Sequence, residues 1–103
     1  MKELKERIEK AWDDRSLLNE TDTKNAIREV VNFCDAGKLR CAEPTADGWQ
    51  VNEWVKKAIV LYFPIEKMET SEAGIFEYHD KIPLKTGYKE KGVRVVPNAV
   101  ARH

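Results

Sequence analysis

Apolar positions recur along this chain first with the period of a helix and later with the period of a strand. Leu4, Ile8, Ala11 and Trp12 stand at i, i+4, i+7 and i+8, which gathers them on one face of a helix predicted over Lys2 to Arg15. The opposite face interleaves Glu3, Glu6 and Glu9 with Lys5, Arg7 and Lys10, the pattern of a solvated surface. A polar link, NETD, follows. Asp22 or Thr23 suits the cap of a second helix, because a short side-chain oxygen can accept an orphan backbone N–H. That helix is expected to bury Ala26, Ile27, Val30, Val31 and Cys34 and to stop near Asp35 or Ala36, where Gly37 can turn left-handed. The two helices should form an antiparallel pair.

The period then drops to two. Leu39 and Cys41 alternate with Arg40 and Ala42, Trp49 and Val51 flank Gln50, and PTADG between them supplies a turn at Asp47-Gly48. A short hairpin is predicted. Because an isolated hairpin is marginal in water, its apolar face is expected to lie on the helices. Asn52 suits the cap of a third helix and Glu53 the positive end of its dipole. Trp54, Val55, Ala58, Ile59, Leu61 and Tyr62 make this helix apolar over much of its surface, so it should be the central one, ended by Pro64. The stretch from Ile65 to Gly74 is acidic and turn-like, and METSEAG within it reads as a mobile loop. Beyond it, IFEYHDKIPLKTGY and KGVRVVP are β-rich segments without a strand pattern that closes a sheet. The expected fold is mainly α within the α+β class: three helices, a hairpin between the second and third, and an extended C-terminal segment. Residues 1–90 form the helical domain and residues 91–103 a connector.

Length and composition narrow the class without changing that picture. A chain of 103 residues has room for one domain, hiding roughly two-thirds of the surface its unfolded form would expose. A mean hydropathy of -0.61 marks a water-soluble protein, and the longest apolar run, AIVLYF, falls far short of a bilayer span. The charged start MKELKERIEK is no signal peptide, which points to the cytoplasm and to no membrane partner. Cys34 and Cys41 read as two small buried hydrophobes in a reducing compartment. His79 and His103 lack the spacing that would complete a metal site with them, so no metal is expected.

Zero net charge conceals an asymmetry. Residues 1–80 carry 12 basic and 17 acidic side chains, whereas residues 81–103 carry 6 and 1. A basic strip thus follows an acidic body, and such a strip attracts carboxylates, phosphates or an acidic protein surface. Nucleic acid is not the expected partner, since the third helix offers only Lys56 and Lys57 to phosphates and the aromatics Trp12, Trp49, Trp54, Tyr62 and Phe63 fit a core better than a stacking platform. No complete catalytic set is present: His79 and Asp80, adjacent on an extended chain, point to opposite faces, and Ser16 and Ser71 have no base nearby in sequence. Arg94 differs from these. In GVRVVP it stands alone among valines between Gly92 and Pro97, where its planar fork could bind a carboxylate or phosphate bidentately or could guard an exposed strand edge.

DAGKLRCAE, GWQVNEWVKKAIVLYF, YHDKIPLK and GVRVVPNAVAR, in this order and spacing, resemble the N-terminal region of the bacterial 2,3,4,5-tetrahydropyridine-2,6-dicarboxylate N-succinyltransferases. The resemblance covers nearly the whole chain and is most specific from Asp35 to Phe63 and from Phe76 to Arg102. It implies a transferase of the diaminopimelate and lysine pathway, a homotrimer in which each chain joins a helical N-terminal domain to a left-handed β-helix. The hexapeptide periodicity of that β-helix is absent here, so the resemblance implies the N-terminal domain alone, with residues 91–103 leading toward the missing part. Succinyl-CoA would be the co-substrate of the full-length enzyme, bound between β-helices, leaving no cofactor site in this chain. Arg94 matches the family arginine that binds the dicarboxylate substrate. Asp80, Lys81 and Lys85 fall in a family-like segment that bears on local structure or substrate approach, and the acidic catalytic residue lies beyond His103. This portion alone is therefore expected to be inactive. The competing reading is a free-standing interaction domain whose basic C-terminal strip binds an acidic partner.

Overall fold

A computed structural model describes all residues, 1–103, and divides the chain into two units, Met1–Glu66 and Lys67–His103. In the first unit, α1 (Lys2–Asp13), α2 (Thr21–Asp35) and α3 (Glu53–Ile65) pack against one another, with a short hairpin of β1 (Ala42–Thr45) and β2 (Gly48–Val51) between α2 and α3. The expected three-helix, α+β architecture is thus present. Each helix brings its apolar stripe to one seam: Ile8 and Ala11 from α1, Ile27 and Val30 from α2, and Val55, Ala58 and Leu61 from α3 are all fully buried. Leu4, Trp12, Leu17, Leu18, Cys34, Leu39, Cys41, Trp54 and Tyr62 cover the edges of this core. The one buried polar residue is Thr23, and no buried side-chain polar atom lacks a partner. Two surface ion pairs tie the helices: Lys57 Nζ to Glu9 Oε2 at 2.7 Å, and Arg28 Nε to Glu66 Oε1 at 2.6 Å. The Arg15 guanidinium and the Lys57 ammonium lie 4.7 and 5.7 Å from the centroid of the Trp12 ring. No helix is long and apolar enough to cross a membrane.

Several boundaries differ from the sequence expectation for local reasons. The first helix ends at Asp13 rather than Arg15, because Asp14 turns extended and its carboxylate accepts from Ser16 N at 3.1 Å and Ser16 Oγ at 2.6 Å. The link before α2 is then a 3₁₀ turn, Arg15–Asn19, whose Leu17 and Leu18 pack on the core. Consequently α2 starts at Thr21 with Glu20 in the cap position, and Thr23 is buried inside the first turn instead of capping it. Its C-terminus closes as expected at Gly37: Gly37 N–H donates to Cys34 O and Lys38 N–H to Phe33 O, the paired bonds of a Schellman motif. Cys34 and Cys41 are free and half-buried at the edge of the core.

The hairpin corrects the expectation more substantially. Its strands begin three residues later than Leu39 and pair Ala42 with Val51 and Pro44 with Trp49. Its apolar side chains do not lie on the helices: Trp49 is 72% exposed and Val51 66%. Asn52 anchors the base instead, its N–H donating to Cys41 O at 2.7 Å and its Nδ2 to Arg40 O at 2.9 Å. The Asn52 side chain is therefore spent across the hairpin and does not cap α3, although Asn52 occupies the cap position. Leu39 and Cys41, read as strand residues, instead leave the ladder and join the core margin.

The second unit contains a hairpin whose first strand lies in the stretch read from sequence as a mobile loop and whose second lies in a segment read as β-rich. β3 (Glu69–Ala73) pairs antiparallel with β4 (Phe76–Asp80), in the register Glu69 to Asp80 and Ala73 to Phe76. The two-residue turn has positive φ only at Gly74, at 63°, as a type II′ connection requires. β3 is polar and wholly exposed, so it carried no alternation to read. No residue of this unit is buried.

Replacing Leu61 by Ala should destabilise the first unit by about 2–5 kcal/mol, since it removes a fully buried side chain at the three-helix seam. Trp49→Ala, at an exposed hairpin position, should change stability by about 0.5 kcal/mol or less. Urea unfolding followed by helical circular dichroism separates the two, and comparable losses would contradict the core assignment.

Candidate functional site

The chain of the second unit leaves β4 at Asp80 and comes back to the same place. Leu84 and Arg102 form an antiparallel pair, flanked by Lys85 N–H donating to Ala101 O and His103 N–H donating to Pro83 O, both at 2.8 Å. Arg102 Nη1 also donates to Asp80 Oδ2 at 3.0 Å, so a side-chain link joins the last residue of β4 to the returning segment. The Arg102 guanidinium is the main reason the Asp80 carboxyl titrates below its ordinary range, and the backbone N–H groups of Lys81 and Ile82 add to that effect. Residues 86–100 therefore form a loop with a pinned neck, within the size range of Ω-loops.

Two turns order this loop on either side of Arg94. Residues 88–92 make a helical turn closed by a second Schellman pair, Val93 N–H to Tyr88 O at 2.9 Å and Gly92 N–H to Lys89 O at 3.2 Å. Gly92, at φ 68°, occupies the left-handed position that this motif requires. Downstream, Ala99 N–H donates to Val96 O at 3.1 Å across Pro97-Asn98, with Asn98 at φ 72°. Proline at the second position and asparagine at positive φ in the third are the requirements of a type II turn. Between the two turns, Val93, Arg94, Val95 and Val96 run extended. Arg94 is exposed and its guanidinium has no partner within the chain.

The other residues singled out from sequence are distributed as follows. His79 Nδ1 lies 2.9 Å from Thr70 Oγ1 across the β3–β4 ladder, and Asp80 is engaged with Arg102, so the two do not form a dyad. Lys81 and Lys85 belong to the neck segment, Lys85 through its backbone N–H. Val93, Val95, Val96 and Val100 beside Arg94 are 37 to 52% exposed. Sequence reasoning missed the neck. The pairing of Leu84 with Arg102 spans a long sequence separation and neither residue sits in a strand-like pattern, while the opposite charges of Asp80 and Arg102 were the only signal available.

In the first unit, Tyr62 titrates above its usual range because burial disfavours the phenolate, and Lys57 because it donates to Glu9. Burial, and after it the proximity of Cys41, pushes the Cys34 thiol up, which keeps it a poor nucleophile. Neither unit assembles an acid, a base and a nucleophile.

Residues 3–65 match the family described as tetrahydrodipicolinate N-succinyltransferase N-terminal. Curated relatives carrying the name 2,3,4,5-tetrahydropyridine-2,6-dicarboxylate N-succinyltransferase align with almost the whole chain. The protein of Pseudoalteromonas translucida is 38% identical over 112 residues, and that of Coxiella burnetii (strain Dugway 5J108-111) 42% identical over 111, each alignment covering 99% of this chain and 41% of the relative. The Leptothrix cholodnii protein is 42% identical, covering 97% of this chain and 40% of its own length. The chain thus spans about two-fifths of the length of the curated relatives it matches.

Because the Asp80 pKa is lowered on folding, the stability it contributes is fully present above its unfolded-state value and is lost as pH falls through the lower folded one. An acid titration followed by the Asp80 carboxyl carbon resonance should therefore show a midpoint below that of an unstructured aspartate. Replacing Arg102 by Gln should move the midpoint up, and an unmoved midpoint would show that the guanidinium is not the cause.

Proposed function

We propose, on the ground that this chain belongs to the tetrahydrodipicolinate N-succinyltransferase N-terminal family, that it is the substrate-binding and assembly portion of an N-succinyltransferase of diaminopimelate and lysine synthesis. The observation that carries the substrate role is Arg94: an unpaired, exposed guanidinium on extended backbone between two ordered turns. A cyclic dicarboxylate presents two carboxylates, and a planar guanidinium can hold one of them through two parallel N–H···O bonds. Lysine at this place would keep the charge and lose the fork.

In the reaction of the full-length enzyme, the amine of the ring-opened substrate attacks the thioester carbonyl of succinyl-CoA. A C–N bond forms, the C–S bond breaks, the CoA thiolate leaves and the amine gives up a proton. Rate in such a step comes from holding amine and thioester together and from stabilising the oxyanion that develops. In this reading Arg94 serves the first requirement by fixing the dicarboxylate. The residues that meet the thioester lie on the remainder of a homotrimeric protein, with succinyl-CoA bound there.

Arg94→Ala in the full-length enzyme should weaken dicarboxylate binding about 10- to 100-fold, the worth of a charge-assisted bond, and leave succinyl-CoA binding unchanged. Calorimetric titration with each ligand reads both, and undiminished dicarboxylate affinity would remove Arg94 from the site. Residues 1–103 expressed alone should show no release of free CoA thiol from succinyl-CoA in the presence of the dicarboxylate; measurable turnover would place the thioester chemistry within this chain.

A further inference from the structure

Arg94 can act as a fixed fork only if the loop that carries it is itself fixed, and nothing in that loop is buried. The loop has three fastenings. Two are the turns internal to it, which set the local path on either side of Arg94 but do not attach it to anything. The third is the neck, where Lys85 and Ala101, Pro83 and His103, and Asp80 and Arg102 are joined. The first two links of the neck are main-chain bonds that any sequence could make. The third depends on two particular side chains.

We propose that the Asp80–Arg102 ion pair is a latch that sets the position of Arg94, making Asp80 and Arg102 positioning residues for the dicarboxylate; the proposal rests on the substrate role of Arg94 given above. Asp80 is placed for this task by the β3–β4 ladder, whose last pair is Glu69 with Asp80. The backbone N–H groups of Lys81 and Ile82 also favour its ionised form. Arg102 in turn stands in the backbone pair with Leu84, so the guanidinium reaches out from a fixed main chain. Both partners stand on main chain fixed by these pairings, so less chain freedom is lost when their side chains join. The pair is still solvent-accessible, with the side chains 51 and 36% exposed, so its effect belongs in the geometry of the loop rather than in global unfolding.

The test compares four variants of the full-length enzyme, Asp80→Asn, Arg102→Gln, their combination and Arg102→Lys, beside Arg94→Ala. Asp80→Asn keeps the size of the side chain and one of its oxygens while removing the charge. Each neutralising single variant should raise KM for the dicarboxylate about two- to fivefold, the span an exposed pair can supply, with kcat and KM for succinyl-CoA unchanged. The combination should be no worse than the poorer single variant, because both act through one link, and Arg102→Lys should recover part of the loss. Trypsin should cut the loop at Lys89, Lys91 or Arg94 faster in the neutralised variants. If Arg94→Ala raises KM while the latch variants leave it and the cleavage rate unaltered, the latch is refuted and the role of Arg94 survives. Losses that add in the combination, or that fall on kcat alone, also refute it. If Arg94→Ala leaves KM unchanged, the substrate role fails and the positioning role with it.

Discussion

The first unit depends on one desolvated seam. Ile8, Ile27, Val30, Val55 and Leu61 come from three helices and exclude water from a single small volume, each contributing about 1.5–3 kcal/mol through burial. Everything else in that unit is arranged around the seam. The 3₁₀ turn packs Leu17 and Leu18 against it, and the Glu9–Lys57 and Arg28–Glu66 pairs bridge the elements at the surface. Solvent screens such pairs and their ordering costs side-chain entropy, so they adjust helix placement without causing it.

The second unit obeys a different rule, since it has no buried residue. Its order comes from main-chain hydrogen bonds in a five-residue ladder, three turns and a neck. Closing a loop the size of residues 86–100 costs roughly 2–3 kcal/mol in chain entropy. Two neck hydrogen bonds return about 1 kcal/mol each. The balance is close to even, and under that condition a single ion pair such as Asp80 with Arg102 has leverage over the loop that it would lack inside a well-packed core.

How much of this was legible in the sequence follows from where the determinants reside. The three helices were, because the seam demands a 3.6-residue recurrence and the recurrence is printed in Leu4, Ile8, Ala11 and in Val55, Ala58, Leu61. The existence of the first hairpin was legible, but not its orientation: alternation around Gln50 shows that Trp49 and Val51 share a face and does not say whether that face meets helices or water. β3 was invisible because Glu69, Thr70, Ser71 and Glu72 are all polar and exposed and show no apolar alternation, with Gly74 the one turn signal. Arg94 stood out by its isolation among valines and by a family resemblance. The neck that frames it did not, since two main-chain bonds leave no trace in side-chain identity.

That same independence from side chains has an evolutionary reading. A neck whose other two links are carbonyl-to-amide bonds tolerates many replacements at the tip it encloses, provided Gly92, the Pro97-Asn98 turn and the Asp80–Arg102 pair are kept. Residues 93–96 can then change, one substitution at a time, without unravelling the frame. On these terms the frame constrains the base of the loop more tightly than its tip.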